Sequence, residues 1–326
     1  MKVFAPATSR TFAEAVCDRL GTAPARLRER DFDDGEHKIR PLEPVRGDDV
    51  YVVHSLYGEP DQSVNDKLCR LIFLLGALRD AGAGRLTAVI PYLAYARKDR
   101  KTKSRDPVTT RYVAGMLESS GLDRVVALDV HNLAAYQNAF RCRSEHLEAK
   151  RLFVEHIRER IGDEPIAVVS PDVGGVKRAT AFREALEEAL GREVGDAFIN
   201  KKRSRDVVSG DTVVGDVEDR VAILLDDLIS TGTTLARAAG ACRELGARRV
   251  FAAATHGLLV DPASEKLAVP ALDGVIVTDS VTPLGRITDA FAGRLTTLSV
   301  APLIGDAIRC LHENGSLVRL LGEEED

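Results

Sequence analysis

Hydrophobic residues along this chain form short continuous runs separated by longer stretches of helical periodicity. Runs such as Val221–Leu225 and Ile166–Ser170 consist almost entirely of Val, Ile, Leu and Ala, which predicts parallel strands buried on both faces. Between the runs, apolar residues recur at spacings of three and four, as at Leu68, Leu71 and Leu75, which predicts amphipathic helices. Regular alternation of strand and helix predicts an α/β fold.

The same rhythm occurs twice. The first half is predicted to hold strands at 49–54, 86–92 and 124–131 and helices over 64–81 and 108–120. The second half is predicted to hold strands at 166–170, 221–225, 249–256 and 275–279 and helices over 176–190 and 235–245. Two similar α/β domains, each with a mainly parallel sheet flanked by helices, are therefore expected, with a junction near residues 145–160.

Composition narrows the class of protein. A length of 326 residues suggests two domains, and a net charge of -5 argues against general affinity for nucleic acid, which favours a basic surface. The five cysteines have no CxxC spacing, which is typical of free thiols in a reducing cytoplasm. No signal peptide is evident and no apolar run approaches the ~20 residues of a membrane span. A cytoplasmic protein with no membrane partner is expected.

The most informative segment lies where the run Val221–Leu225 meets two acids, Asp226 and Asp227. A hydroxyl-rich turn and a helix follow, so backbone N–H groups and hydroxyls are presented to an anion at a helix N-terminus. In an open parallel sheet, ligands bind at the carboxyl ends of the strands. A sugar phosphate would offer a phosphate to the turn and hydroxyls to the acids. We predict a phosphorylated-ribose site formed by Asp226, Asp227, Ser230, Thr231, Gly232, Thr233 and Thr234; ordinary turn chemistry and helix capping are the alternative.

Two further strand ends carry candidate metal ligands. Asp172 follows the strand Ile166–Ser170 and precedes two glycines and a helix, so it is either a magnesium or substrate ligand or a helix cap. His131 ends the strand that begins at Arg124. Since magnesium prefers oxygen ligands and keeps several waters, a structural role for His131 is an equal alternative.

Basic clusters and one turn complete the candidate sites. The cluster Asn200–Arg205 is either a solvated loop or a basic loop that neutralises charge on a transferring phosphoryl group. The cluster Tyr95–Lys103 is either a polyphosphate site or plain surface. The segment Asp31–Glu36 is predicted to be a hairpin turn, although an aromatic ring beside acids is also compatible with an adenine site. Neither a GxxxxGK[ST] run nor an early GxGxxG run occurs, so P-loop and dinucleotide sites are unsupported.

Taken in order, these segments resemble the ribose-phosphate pyrophosphokinase (phosphoribosyl-pyrophosphate synthetase) family over nearly the whole chain. The resemblance rests on the runs 32–36, 45–47, 87–92, 95–101, 129–131, 170–175, 201–205, 214–217, 226–235 and 254–256. It implies two phosphoribosyltransferase-like domains: an N-terminal domain over 1–150 with ATP and oligomer contacts, a C-terminal domain over 151–310 with the ribose 5-phosphate site, and a tail over 311–326 that packs back near the N-terminal domain.

The resemblance also implies an activity: transfer of the diphosphoryl group of ATP to the 1-hydroxyl of ribose 5-phosphate, with Mg²⁺ as cofactor, in a homo-oligomer (dimer, tetramer or hexamer). It implies that Lys201 and Arg203 are catalytic and that His131 and Asp172 hold magnesium. The implied ATP contacts are Phe32, Asp34, Gly35, Glu36, Arg97 and Lys98. The implied ribose 5-phosphate site is the one predicted at Asp226–Thr234.

Several positions differ from many members of the family. Ser230 stands where many have an acid, Thr233 where many have Gly or Ala, and Lys98 where Gln is frequent; the segment Leu56–Lys67 looks longer than in common bacterial forms. Two other functions remain open at this point. A nucleobase phosphoribosyltransferase would need only one such domain and no ATP site, and a non-catalytic regulatory subunit would be expected to lack the loop cations or the metal ligands.

Overall fold

The computed structural model describes residues 1–200, 212–283, 285 and 287–322, together with the backbone of 203–204 and 207–208. The chain forms two compact units. One is Met1–Glu148 together with the segment that begins at Val300, and the other is Ala149–Ser299. These units differ from the sequence-based ranges at residues 300–310, and the functional domains over 1–150, 151–310 and 311–326 stay predictions.

The first unit is built on a parallel sheet. Its elements up to Glu148 are β1 (Lys2–Phe4), α1 (Arg10–Leu20), β2 (Leu27–Asp31), β3 (His37–Pro41), β4 (Asp49–Val53), α2 (Val64–Asp80), β5 (Arg85–Ile90), α3 (Thr109–Ser119), β6 (Arg124–Leu128), α4 (Leu133–Ala139) and β7 (Arg143–Leu147). The strand order is β1-β4-β5-β6-β7, with parallel pairing throughout. Strands β2 and β3 form a separate antiparallel hairpin.

The second unit has a larger, mixed sheet. Its elements are α5 (Lys150–Ile161), β8 (Ile166–Ser170), α6 (Val176–Leu190), β9 (Gly195–Asn200), β10 (Arg203–Ser204), β11 (Val207–Val208), β12 (Thr212–Gly215), β13 (Val221–Ile229), α7 (Thr233–Glu244), β14 (Arg249–Gly257), α8 (Ala263–Leu267), β15 (Gly274–Thr278), α9 (Asp289–Ala292) and β16 (Leu295–Leu298). The order is β12-β9-β8-β13-β14-β15-β16, and only β12 among these strands runs antiparallel to its neighbour. Strands β10 and β11 pair with each other.

The chain continues in the first unit with α10 (Ala301–His312) and α11 (Leu317–Leu321). Helix α10 packs against α1, where the Arg19 guanidinium makes two hydrogen bonds of 2.8 Å to the carboxylate of Asp306. A side chain at Gly305 would bring its Cβ to 2.9 Å from Cβ of Arg19. Glycine at this position therefore permits the close approach of the two helices.

Burial follows the predicted pattern. The inner strands are almost entirely buried: all five residues of β8 and of β15, and the first five of β13. Apolar side chains of α2 and α3 cover the first sheet, and those of α7 and α8 cover the second. The predicted α/β class with two mainly parallel, helix-flanked sheets is confirmed. No helix within the described ranges combines the length and hydropathy needed to cross a bilayer.

The strand predicted over 124–131 ends earlier, at Leu128, so His131 lies beyond it, and one further predicted boundary was wrong in an informative way. Strand β13 does not end at Leu225 but continues to Ile229, because its parallel pairing with β14 extends from Val221 to Ile229. Helix α7 correspondingly begins at Thr233, earlier than the predicted Leu235. The two acids therefore lie inside a strand at the middle of the sheet, and the two threonines belong to the first turn of the helix.

Candidate active site

Two adjacent carboxylates stand near the end of the central strand of the second unit. The side chain of Asp227 is 4% exposed and that of Asp226 is 27% exposed. Nη1 of Arg178, in the first turn of α6, lies 3.2 Å from Oδ1 of Asp227 and 3.4 Å from Oδ1 of Asp226. One guanidinium thus partly neutralises two negative charges.

The neutralisation is incomplete. Burial, together with the neighbouring carboxylate of Asp227, raises the pKa of Asp226 well above its usual range, and Arg178 opposes that rise. The backbone N–H of Asp227 donates to Oδ1 of Asp226 over 2.9 Å, which holds that carboxylate in place. A raised pKa in a partly exposed acid makes Asp226 a candidate ligand-binding group.

The turn after the two acids has an uncapped helix start. Gly232 is the N-cap of α7 with φ of 71°, and no side chain caps the helix there. An L-side chain would be strained in this backbone conformation, and its Cβ would lie 2.7 Å from Cγ of Leu267. The first N–H groups of α7 remain available to an anion.

Three polar groups line this helix start. Oγ1 of Thr231 lies 3.3 Å from Oγ1 of Thr233, and Nζ of Lys266 donates to Oγ1 of Thr233 over 2.7 Å. Thr231, Thr233 and Thr234 are all exposed. Hydroxyls, free N–H groups and an ammonium together form a site suited to a phosphate group.

Asp172 lies at the same edge of this sheet. Strands β8 and β13 run parallel, with Val169 opposite Leu224, so their carboxyl ends share one edge. The carboxylate of Asp172 accepts from the backbone N–H of Gly175 over 3.1 Å and thus caps a 3-10 turn over Val173–Gly175. The capping alternative considered for Asp172 is realised, and it still leaves carboxylate lone pairs for a cation.

His131 lies in the first unit. It follows β6 after Asp129, whose φ is 39°, and its side chain is exposed. Beside it, Asn132 caps α4 and donates from Nδ2 to Oδ2 of Asp99 over 2.6 Å. The strand end thus turns sharply into a short helix and presents the imidazole to solvent.

The two other candidate segments of the first unit differ in how their charges are used. Residues 32–36 form the predicted hairpin turn between β2 and β3, where the N–H of Phe32 donates to the carbonyl of Glu36 over 2.8 Å. The Arg30 guanidinium stacks 4.8 Å from the ring centroid of Phe32. By contrast, the ammonium of Lys98 lies 2.7 Å from Oδ2 of Asp106, and this contact lowers the pKa of Asp106. Arg97 is exposed.

Comparison with known proteins identifies the family. The chain matches the model of the N-terminal domain of ribose phosphate pyrophosphokinase over residues 1–121 and that of the phosphoribosyl synthetase-associated domain over residues 197–322. It is 38% identical to a ribose-phosphate pyrophosphokinase of Vibrio parahaemolyticus, covering 97% of this chain and 98% of the relative, and 36% identical to one of Listeria ivanovii, covering 98% and 96%. A solved phosphoribosylpyrophosphate synthetase from Mycobacterium smegmatis superposes with a TM-score of 0.85 at 38% identity, covering 96% of this chain and 99% of that one.

The chain belongs to the ribose-phosphate pyrophosphokinase family. The predicted family is thereby confirmed. Because the matches span both halves of the chain, they favour the synthetase over a nucleobase phosphoribosyltransferase, which would need one such domain. Full-length relatives named as the enzyme also favour it over a regulatory subunit.

Within this family assignment, the structure brings some of the predicted site residues together. Asp172, Asp226 and Asp227 lie at one edge of the second sheet, followed by the turn Ser230–Thr234. Lys201 lies outside the described residues, and Arg203 is described only as part of the backbone of β10. The roles of all these residues, and those of the segment 32–36, Arg97 and Lys98, stay predictions.

The side chains of the site are compatible with magnesium. No group of three or more His, Cys, Asp or Glu is placed to hold a metal anywhere in the described ranges. Mg²⁺ does not require one, since it takes one or two carboxylates and completes its shell with waters and substrate phosphates. The partly exposed carboxylate of Asp172 fits that requirement, and the exposed imidazole of His131 is accessible to a cation.

Two residues of the site escaped sequence reasoning. Arg178 lies in the helix predicted over 176–190, but nothing in the sequence shows that its guanidinium reaches two acids that are 48 and 49 residues further along the chain. Lys266 carries no motif signal, because its contact with Thr233 depends on how the segment after β14 folds back on the turn. The one sequence signal for Arg178 is its position: it is a cation in the first turn of the helix that follows the candidate ligand Asp172.

Proposed function

We propose that this chain transfers the β,γ-diphosphoryl group of ATP to the 1-hydroxyl of ribose 5-phosphate, giving 5-phosphoribosyl 1-pyrophosphate and AMP. The observation that carries the proposal is the strand end in which Asp226 and Asp227 precede an uncapped, hydroxyl-rich helix start. Its combination of acids for vicinal hydroxyls and donors for a phosphate suits ribose 5-phosphate. Relatives that match over nearly their full length and are named ribose-phosphate pyrophosphokinase support the same reaction.

In this proposal the acceptor is held at two points. The 5-phosphate accepts hydrogen bonds from the first N–H groups of α7 and from the hydroxyls of residues 230–234, where the helix dipole also favours an anion. The ribose hydroxyls donate to Asp226 and Asp227, which relieves the charge repulsion within the pair. Arg178 keeps both carboxylates in position before the sugar arrives.

The reacting groups are then brought in line. The 1-hydroxyl oxygen attacks the β-phosphorus of ATP, the bond from that phosphorus to the oxygen bridging to the α-phosphorus breaks, AMP leaves, and the hydroxyl proton passes to solvent. Such a transfer needs positioning and charge neutralisation more than covalent help. Lys201 and Arg203 are assigned to stabilise the diphosphoryl group in flight.

ATP and its metal are assigned to further residues. Asp172 and His131 would hold Mg²⁺, which supplies neutralisation of phosphate charge. Phe32, Asp34, Gly35, Glu36, Arg97 and Lys98 would contact ATP. For Lys98 the ion pair with Asp106 implies that it also orders the loop over 98–106, so its contribution to ATP binding is expected to be smaller than that of the exposed Arg97.

We also propose that the chain acts as a homo-oligomer in the cytoplasm. The family resemblance supports self-association, and five free cysteines in the described structure are compatible with a reducing compartment. Light scattering of the purified protein, with and without ATP and Mg²⁺, tests the assembly. A monomer at enzyme-assay concentrations under both conditions would refute it.

A steady-state assay of AMP formation from ATP and ribose 5-phosphate tests the activity itself. AMP that appears only when both substrates and Mg²⁺ are present supports the proposal. Pyrophosphate release that depends on a nucleobase and on the activated sugar would instead identify a nucleobase phosphoribosyltransferase. Absence of both activities would leave the regulatory subunit as the remaining candidate.

The assignment of Lys201 has its own test. Lys201→Ala is expected to lower kcat by about 10³-fold, because a preorganised cation at a transferring phosphoryl group commonly contributes that much, while ribose 5-phosphate still binds. Lys202→Ala is the matched control, with the same charge change one residue away. Near-normal turnover of Lys201→Ala would remove this residue from the catalytic role.

A further inference from the structure

The segment that follows β14 places a cation on the proposed 5-phosphate site. Lys266, on the short helix α8, donates from Nζ to Oγ1 of Thr233 over 2.7 Å. Thr233 is the first residue of α7, and its hydroxyl lies 3.3 Å from that of Thr231. The ammonium therefore contacts the first residue of the helix whose free N–H groups would bind an anion.

Backbone contacts hold this segment against the turn. The N–H of Leu259 donates to the carbonyl of Ile229 over 3.1 Å, and that of Val260 donates to the carbonyl of Ser230 over 3.0 Å. Leu267, the residue after Lys266, lies so close to Gly232 that a Cβ there would come within 2.7 Å of its Cγ. The position of Lys266 is thus fixed by the same contacts that shape the turn.

The charge of Lys266 is not neutralised by the protein. Across the described part of the chain, its ammonium makes no ion pair and donates to the neutral hydroxyl of Thr233. Lys98 shows the alternative, since its ammonium is paired with a carboxylate at 2.7 Å. An ammonium beside an uncapped helix start attracts a dianion more strongly than either feature alone.

We infer that Lys266 binds the phosphate monoester dianion at this turn and thereby makes the site selective for a 5-phosphorylated ribose. The inference rests on the proposed function, which supplies the ligand. When the phosphate binds, Nζ donates to a phosphate oxygen, either in place of the Thr233 hydroxyl or in addition to it. A neutral acceptor is thus replaced by an anionic one, and a hydrogen bond between two ionised groups is the stronger kind.

Direct binding measurements test this role. Calorimetric titration with ribose 5-phosphate in phosphate-free buffer is expected to show about 10- to 100-fold weaker binding to Lys266→Ala, the loss typical of one hydrogen bond to a charged group. In the AMP assay, KM for ribose 5-phosphate should rise by a similar factor. The KM for ATP and the kcat at saturating sugar should stay within about twofold.

Matched variants separate binding from folding. Glu265→Ala removes a charge from the neighbouring exposed residue of the same helix and should leave ribose 5-phosphate affinity unchanged. Lys266→Arg retains the cation and should restore most of the lost affinity. Equal losses in Lys266→Ala and Glu265→Ala, or a Lys266→Ala variant that loses kcat and both KM values together with its melting temperature, would overturn the inference.

A second arm distinguishes the sugar phosphate from free phosphate. If Lys266 served only inorganic phosphate, Lys266→Ala would bind ribose 5-phosphate normally in phosphate-free buffer and lose only its response to added phosphate; that result also overturns the inference. The calorimetric measurement needs no turnover. A wild-type protein that binds ribose 5-phosphate through Lys266 but forms no AMP would therefore contradict the proposed reaction and uphold the ligand.

Discussion

Each unit contains an inner strand that leads through a loop into a helix: β4 into α2 in the first unit and β13 into α7 in the second. The polar groups around these two helix starts are used in opposite ways; we call the start of α2 closed and that of α7 open. After β4, helix α2 has Ser63 as its N-cap and a full capping box: Oγ of Ser63 accepts from the N–H of Asp66, and the Asp66 carboxylate accepts from the N–H of Ser63. After β13, helix α7 has Gly232 as its N-cap and no side-chain cap. The first helix start is satisfied internally, and the second is left open.

The charged groups follow the same division. At the first helix start the side chain of Lys67, in the first turn of α2, is fully buried, and its ammonium lies 2.6 Å from a carboxylate oxygen of Glu59 and 3.7 Å from the ring centroid of Tyr57. His54 is buried as well, where desolvation lowers its pKa to about 3 and keeps it neutral, and its Nδ1 lies 2.8 Å from Oγ of Ser9. Before the second helix start, in β13, two carboxylates share one guanidinium. We infer that the buried groups at the first helix start contribute to the stability of the fold, whereas the groups at the second are held for a ligand.

The largest expected effect comes from the acids that precede the open helix start of α7. Asp226→Asn should lower kcat/KM for ribose 5-phosphate by about 10³-fold, because the charged acceptor of ribose hydroxyls is lost. The same change should raise the melting temperature at neutral pH, because it removes the repulsion between the partly exposed Asp226 and the buried Asp227 and leaves the pair of Arg178 with Asp227. Kinetics and thermal unfolding of one preparation measure both. A variant that loses stability along with activity would contradict the division drawn here.

The raised pKa of Asp226 also gives this prediction a pH signature. Between the ordinary pKa of an aspartate and the raised folded-state value, the folded protein binds more protons than the unfolded chain, so stability of the second unit rises as pH falls through that window. Protonation also removes the charged acceptor, so KM for ribose 5-phosphate should rise over the same window. In Asp226→Asn both trends should be absent or displaced to lower pH.

At the closed helix start of α2, a substitution should lower stability and leave activity unchanged. Lys67→Ala is expected to lower the free energy of unfolding by about 3 kcal/mol, because it empties a buried site and leaves Glu59 without its partner. The kcat and KM of the folded fraction should be unchanged. Lys67→Met, which keeps most of the apolar stem, serves as control and should cost less than half as much. A loss of activity without a loss of stability would place Lys67 in the machinery of the reaction.

How far the sequence predicts this contrast depends on the range of each contact. Strands β8 and β15 were predicted to within a residue, because continuous apolar runs reflect burial on both faces. The hairpin at 32–36 was also predicted from local turn chemistry. The extension of β13 to Ile229 was not, since two acids look like a strand end unless the pairing with β14 is known. Arg178 and Lys266 were missed because each contacts a residue more than thirty positions away in the sequence.

The substitution Gly232→Ala tests whether the open helix start needs its unusual backbone. Alanine would be strained at φ of 71° and its Cβ would collide with Leu267, so stability should fall by about 1–3 kcal/mol and ribose 5-phosphate affinity with it. Gly240→Ala is the matched control in the same helix: its Cβ meets nothing within 4 Å, and it should stabilise by up to about 1 kcal/mol. Chemical unfolding and calorimetry measure the pair. Equal effects at the two positions would show that the turn geometry is unimportant.

The smallest expected effect lies at Ser63, the N-cap of helix α2. Ser63→Ala removes the side-chain acceptor for the N–H of Asp66 and should cost about 1 kcal/mol of unfolding free energy, the usual value of an N-cap. Ribose 5-phosphate affinity should not change, because the vacated N–H group is hydrated and the Asp66 carboxylate in the same first turn repels a phosphate. Unfolding by denaturant and calorimetric titration decide the matter. A gain of phosphate binding at α2 in Ser63→Ala would mean that an uncapped helix start is sufficient for an anion site and that Lys266 is dispensable at α7.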